Sequence, residues 1–280
     1  MAFEATPQAQ VAFRDGPCRL IECCNMEIGL IIVGTEILTG KRRDGHFAHT
    51  VECLADRSLA LSWCRYIGDD QKALTRELRF VMQTDAIVFC CGGIGATPDD
   101  HTRASAAAAA GVDLVRHDEA AAIIEERFAD SAYPQRIHMA HLPEGCTLIP
   151  NPVNRIAGFS MGHLHFVPGF PQMAWPMIDW VLDHHYAQLL DREPQIEILL
   201  TLPGVSEGQL IMTMQAFVAR FPDVDLSCLP HMQDDYRETE LGVRGAPGKV
   251  ADAVDWLTDA LDGGGWRWQK RTASRAGGGA

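Results

Sequence analysis

The sequence predicts an α/β protein: a right-handed, mainly parallel sheet wrapped by helices, followed by a smaller α+β unit. Three observations predict it. Residues 28–33 and 86–91 are continuous apolar runs that lead directly into glycine, the signature of strands buried on both faces. The segments between and after them carry apolar residues at helical spacing, giving the order β-α-β-α-β-α. After residue 195 the order becomes β-α-β-β-α-β, the split βαβ arrangement.

Each element has a local reason. Phe47, Val51 and Leu54 recur one helical turn apart, predicting a helix over 46–57. Leu59, Leu61, Trp63 and Arg65 alternate with smaller or polar residues, predicting a strand. Asp69 or Asp70 caps a helix carrying Leu74, Leu78 and Val81. The alanine-rich run after residue 102 and residues 119–128 read as helices. Residues 147–149, 157–161 and 165–167 read as short strands separated by Pro and Gly turns. Pro171 suits the first turn of a helix over 172–184. Residues 186–194 read as a linker. The second unit then comprises a strand at 195–202, a helix at 206–220, strands at 224–230 and 237–244, a helix at 247–261 and a strand at 265–270.

Bulk properties narrow the functions. A net charge of −13 over 280 residues argues against nucleic-acid binding by a basic surface. No apolar run approaches the roughly 18 residues of a membrane span. The nine cysteines form no CxxC pair, so free thiols in a reducing compartment, and hence a cytoplasmic protein, are expected rather than disulfides or zinc. Residues 1–25 lack the apolar core of a signal peptide and read as a loosely ordered extension, with Met26 as a candidate start. Residues 272–280 read as a disordered tail. The expected domains are therefore 26–185 and 195–271.

The most informative segment is Cys90-Cys91-Gly92-Gly93-Ile94-Gly95-Ala96-Thr97-Pro98-Asp99-Asp100-His101-Thr102. Gly92, Gly93 and Gly95 remove Cβ atoms between a strand and a helix, where a phosphate can lie against backbone N–H groups. Taken alone, the glycines equally describe a tight connection. Asp99 and Asp100 in an anion site point to a hard divalent cation joining them to the ligand, with one of the two serving as a helix cap. Ligands of such sheets lie outside the carboxyl ends of the strands, so the Gly92 loop and the Gly34-Thr35 loop should converge. The basic triplet Lys41-Arg42-Arg43 before Asp44 suits a pocket rim, or a solvated loop. His46 and His49 share a helix face, yet no third residue has zinc-type spacing, and both are taken as non-catalytic.

Several blocks together resemble one family. Gly34-Thr35-Glu36-Ile37-Leu38-Thr39-Gly40, Gly68-Asp69-Asp70, the Cys91 to Thr102 block, Met139-Ala140-His141-Leu142-Pro143-Glu144-Gly145, the Asn151 to Phe159 segment, Pro168-Gly169-Phe170-Pro171-Gln172-Met173 and Gly204-Val205-Ser206-Glu207 resemble, in order, the conserved blocks of the competence/damage-inducible protein A (CinA) family. The resemblance spans about residues 26–245. It implies a molybdopterin-binding-domain-like three-layer sandwich followed by a KH-like domain, without room for the family's C-terminal deamidase domain.

It further implies a small phosphorylated ligand, molybdopterin-like or ADP-ribose-like, Mg²⁺ or another divalent cation, and a homo-oligomer. Positions matching the family's acidic site residues are Asp44 and Asp100, which become the expected metal ligands. Asp100, Asp99 and Asp44 are the expected catalytic residues of a metal-dependent nucleotide pyrophosphatase. Gly34, Thr35, Gly92, Gly93, Gly95, Thr97 and Thr102 are the expected phosphate and ligand contacts. Cys91, Ala96 and Asn154-Arg155 depart from the family pattern, which keeps a second reading open: a non-catalytic molybdopterin or nucleotide binder.

Overall fold

The computed structural model describes residues 26–189, 195–233 and 236–272. The expected extension at 1–25, most of the expected linker and residues 273–280 of the expected tail lie outside the described residues. The chain divides into two compact units, one ending at Leu189 and one beginning at Leu190.

The first unit runs β1 (Ile28–Val33), α1 (Thr35–Leu38), α2 (His46–Ala55), β2 (Trp63–Ile67), α3 (Gln71–Val81), β3 (Ile87–Cys91), α4 (Thr102–Ala110), β4 (Leu114–Arg116), α5 (Asp118–Phe128), β5 (His141–Pro143), β6 (Thr147–Ile149), β7 (Gly158–Met161), β8 (Leu164–Val167) and α6 (Pro171–His185). Its main sheet has the order β2-β1-β3-β8-β7-β6. The first four strands are parallel; β7 and β6 are added antiparallel.

Alternation along the strands explains the three layers. Ile31, Val33, Val88 and Cys90 pack with Leu74, Leu78, Ala106 and Ile124, on the side of α3, α4 and α5. The alternate residues Leu30, Ile32, Phe89 and Cys91 pack with Cys53, Leu54, Met177 and Val181, on the side of α2 and α6. Adjacent Cys90 and Cys91 thus serve opposite cores. Both are fully buried thiols, with the Cys90 thiol pushed up to about 12 by burial.

Three local expectations shift. The strand placed from Leu59 begins at Trp63, because Leu59 instead closes α2 with its N–H on Leu54 O and a buried side chain. The antiparallel pair of β4 and β5, separated in the chain by α5, is not expected from the sequence; three residues are too few to show a period. Of the two candidate caps, Asp70 caps α3 by accepting from Ala73 N–H at 2.7 Å, leaving Asp69 for another role.

The second unit comprises β9 (Ile196–Pro203), α7 (Glu207–Arg220), β10 (Asp225–Gln233), β11 (Tyr236–Gly245), α8 (Pro247–Gly263) and β12 (Gln269–Thr272). Its sheet order β10-β11-β9-β12, antiparallel throughout, inserts β11 between β9 and β10, as a split βαβ requires. Ser206 and Gln209 form a capping box at α7. The last strand starts later than expected because Gly265 turns the chain and Trp266 N–H returns to Leu261 O. Among the described residues, no helix is long and apolar enough to cross a membrane.

Candidate functional site

A cavity of about 470 Å³ opens at the carboxyl ends of β1, β3 and β8. Gly34, Glu36, Arg42 and Asp69 line one side, residues 92–97 with Asp99 and Asp100 another, and Phe128, Met139, Ile156, Phe170 and Met173 an apolar wall. The two glycine loops converge as expected: a Cβ on Gly92 would lie 2.4 Å from Val33 O.

The loop after β3 is shaped from behind. Gly92 has φ +111 and Gly93 φ +67, values that glycine alone adopts easily. Thr102 is fully buried; its hydroxyl donates to Gly92 O at 2.8 Å and its N–H to Gly93 O at 2.9 Å. Arg103, also buried, donates from Nη2 to Gly95 O at 2.7 Å and from Nη1 to His141 O at 2.9 Å and to His138 O. In a trans peptide the carbonyl and the following N–H point in opposite directions. Carbonyls 92, 93 and 95 are drawn toward Thr102 and Arg103, away from the cavity. The N–H groups of Gly93, Ile94 and Ala96 therefore face it, and they donate to no group among the described residues. The result is a concave set of donors suited to an anion. The buried guanidinium behind the loop adds positive potential; burial lowers its pKa, while Asp100 pulls it upward.

The acids have defined partners. Asp100 Oδ2 accepts from Thr97 N–H at 2.8 Å and from the Thr97 hydroxyl, and Asp100 N–H returns to Thr97 O at 3.0 Å. Asp100 Oδ1 has no bond among the described residues. The Thr97 hydroxyl and its own N–H hold the exposed Asp99 carboxyl below the usual carboxylate range, which disfavours proton uptake. Asp69 Oδ2 accepts from Thr35 N–H at 2.8 Å while Thr35 Oγ1 accepts from Asp69 N–H at 2.9 Å, a clasp between two loops.

Several expected contacts are differently employed. Gly92 N–H belongs to the sheet, donating to Val167 O at 3.0 Å, and Gly34 N–H donates to Ile67 O at 2.9 Å. Neither offers a donor to a ligand; both line the cavity by their bare Cα. Thr35 N–H is taken by Asp69, Thr97 N–H by Asp100, and Thr102 does not line the cavity. At the start of α4, Thr102 N–H is taken by Gly93 O, and neither Asp99 nor Asp100 caps the helix, whose N-cap is His101, because Asp100 turns back to Thr97 N–H. Asp44 lines a separate small cavity of about 40 Å³ next to the main one. Its Oδ1 accepts from His46 N–H at 2.8 Å, and its Oδ2 from Phe47 N–H and Tyr66 hydroxyl, both at 3.0 Å. It caps α2, so both oxygens are engaged. His46 packs beside it, with Nε2 3.2 Å from Gly169 O and a pKa lowered by burial.

Of the basic triplet, Arg42 lines both cavities and Arg43 the small one. The sequence reading missed Asp69, Arg103 and the apolar wall. Asp69 was legible as the acid left over once Asp70 caps α3. Arg103 carried no signal within an alanine-rich helix.

A donor-lined loop at the carboxyl edge of a parallel sheet, sharing a cavity with carboxylates and an apolar wall, marks an α/β domain with a small-ligand pocket. Residues 29–188 match the family described as "Probable molybdopterin binding domain", and the chain belongs to that family. It is 27% identical over 257 residues to a CinA-like protein of Geotalea uraniireducens, covering 85% of this chain and 61% of that protein. It is 31% identical over 196 residues to a CinA-like protein of Geobacter sulfurreducens, covering 66% of this chain and 47% of that one. The crystal structure of the protein CinA from Thermoplasma acidophilum matches with a TM-score of 0.52 and 26% identity, over 57% of this chain and 98% of that one. The chain thus spans between about half and three-fifths of the length of these curated relatives.

Proposed function

We propose that the cavity binds a phosphorylated ligand of the nucleoside diphosphate or molybdopterin type, and hydrolyses the phosphoanhydride of an ADP-ribose-like substrate. The observation that carries this is the trio of N–H groups at Gly93, Ile94 and Ala96, which have no acceptor among the described residues, in a cavity that Asp69, Asp99 and Asp100 also line. Donors alone suit a phosphate. Donors opposite acids suit a phosphate accompanied by a hard cation.

The cavity offers oxygens to such a cation: Asp100 Oδ1 and Asp69 Oδ1 are without bonds among the described residues. Asp100, or Asp69 across the cavity lining, would supply an oxygen to it, with phosphate and water completing its shell; Asp44, engaged with α2, positions the neighbouring loop instead. When bound, Mg²⁺ or a similar ion supplies charge neutralisation of the pyrophosphate and polarisation of an attacking water. The protein's own part is to orient one phosphate on the loop, to draw the ligand in with Arg42, and to cover a planar ring with Phe128, Met139 and Met173. From the family resemblance the reading takes the protein as a cytoplasmic homo-oligomer, the assembly being measurable by sedimentation.

The test is product analysis with ADP-ribose, NAD and FAD, with and without Mg²⁺ or Co²⁺. Metal-dependent AMP release, lost in Asp100→Asn with the fold intact, is the expected result. The second reading, a non-catalytic binder, is favoured by one observation: Asp44 and Asp100 both have carboxylate oxygens already taken by protein donors. Calorimetric binding of ADP-ribose without turnover of any substrate would select it.

A further inference from the structure

On the face of the sheet covered by α2 and α6, three donors of different kinds converge. His49 and Cys53 stand four residues apart on α2, and Asp179 lies on α6. A ring nitrogen of His49, the Cys53 thiol and a carboxylate oxygen of Asp179 all lie within 4.8 Å of one another. We propose that His49, Cys53 and Asp179 form a site for a zinc-class divalent cation that staples α2 to α6.

A second observation points to a missing partner. His49 Nε2 is enclosed and has no hydrogen bond among the described residues. The ring is not free to seek one, because it stacks on Trp175 of α6 at 4.2 Å and 12°. Neutral imidazole is the commonest metal ligand, and a stacked ring is already oriented for the task.

The remaining geometry suits an ion that can come and go. Cys53 Sγ donates to Asp179 Oδ1 at 3.1 Å. Tetrahedral zinc sets its ligand atoms about 3.5 Å apart, so small side-chain rotations admit it. Without the ion, Arg57 supplies the positive charge. Its Nη1 lies 3.1 Å from Cys53 Sγ, and its Nη2 lies 2.9 Å from Oδ1 of both Asp179 and Asp183. Asp183, also bonded by Arg57 Nε at 3.0 Å, gives the guanidinium a place to remain when Asp179 turns to the metal. On binding, the S–H bond breaks, its electron pair forms the sulfur–metal bond, and the proton passes to solvent; nothing is oxidised or reduced. Water takes the fourth position. A nitrogen, sulfur and oxygen set selects zinc over Mg²⁺, which separates this site from the oxygen-lined cavity.

The full chain, stripped with a chelator and titrated with Co²⁺ as the probe, tests this. The expected result is one equivalent of a near-ultraviolet sulfur-to-cobalt charge-transfer band that zinc abolishes and Mg²⁺ does not. The band disappears in Cys53→Ser, and Co²⁺ affinity falls tenfold or more in His49→Gln. Zinc raises the melting midpoint of the wild type and not of either variant. His49→Gln decides the matter if Cys53→Ser does not fold. Absence of the band in the wild type, or its persistence undiminished in Cys53→Ser or His49→Gln, overturns the proposal.

Discussion

The two glycine-led loops at the carboxyl edge of the sheet look alike in sequence and differ in use. After β1, Gly34 N–H joins β2 at Ile67 O and Thr35 N–H joins Asp69, so the first loop is closed by its neighbours. After β3, only Gly92 N–H is taken by the sheet; Thr102 and Arg103 then draw the carbonyls backward and turn the next donors out. Glycine permits an anion site, but the groups that capture its carbonyls create one. The backbone conformations follow suit: Gly34 at φ 162 is extended, as any residue can be, whereas Gly92 at φ +111 is not.

The largest expected effect breaks the second loop from behind. Arg103→Met leaves the carbonyls of Gly95 and His141 without their donor, while that of His138 keeps the His141 N–H. A loss of about 3 kcal/mol in a denaturant titration is expected, with ADP-ribose binding abolished in calorimetry. A variant of unchanged stability and affinity would remove Arg103 from the account of the loop.

Alanine scanning of the two leading glycines sharpens the contrast. Gly92→Ala forces a Cβ against Val33 O in a left-handed conformation and should cost about 2–3 kcal/mol. At Gly34 the nearest atom is Oε2 of Glu36, at 2.7 Å on a side chain that can swing away, so Gly34→Ala should cost less than about 1 kcal/mol. Equal losses in thermal unfolding would mean that the loops are equivalent after all.

A smaller, pH-dependent effect comes from β8, which anchors the second loop through Val167. His165 on that strand is buried between the Ser160 hydroxyl and the Tyr186 hydroxyl, each at 2.8 Å, and burial pushes its pKa down to about 3. The unfolded chain takes up a proton near 6.5 and the folded chain does not. Stability is therefore complete above that pH and declines as pH falls from 6.5 toward about 3. At pH 5 the loss from His165 is about 2 kcal/mol. His165→Gln, which cannot titrate, should flatten the decline between about pH 6.5 and pH 5; an unaltered slope in urea midpoints would assign it elsewhere.

Much of the fold was legible because burial writes itself into sequence. Unbroken apolar runs mark β1 and β3, helical spacing marks α3, and the second unit's order emerges from six consecutive segments. The carboxyl-edge location of the site followed from the same runs. What was illegible was the allocation of hydrogen bonds. Asp69 and Asp70 are chemically identical neighbours, yet one caps α3 and the other clasps Thr35. Asp44 looked like a ligand-side acid and is engaged with the first turn of α2.

The sequence by itself determined the α/β class, the strand-ending glycines and the acids of the Gly92 loop. These depend on local periodicity and on residue chemistry, which need no partner to be read. Only the tertiary structure decided which N–H groups remain free, that Arg103 stands behind them, and that Asp179 meets Cys53, close to His49, across 126 residues of chain. Hydrogen bonds and metal geometries are satisfied in space, between groups that the order of residues leaves far apart.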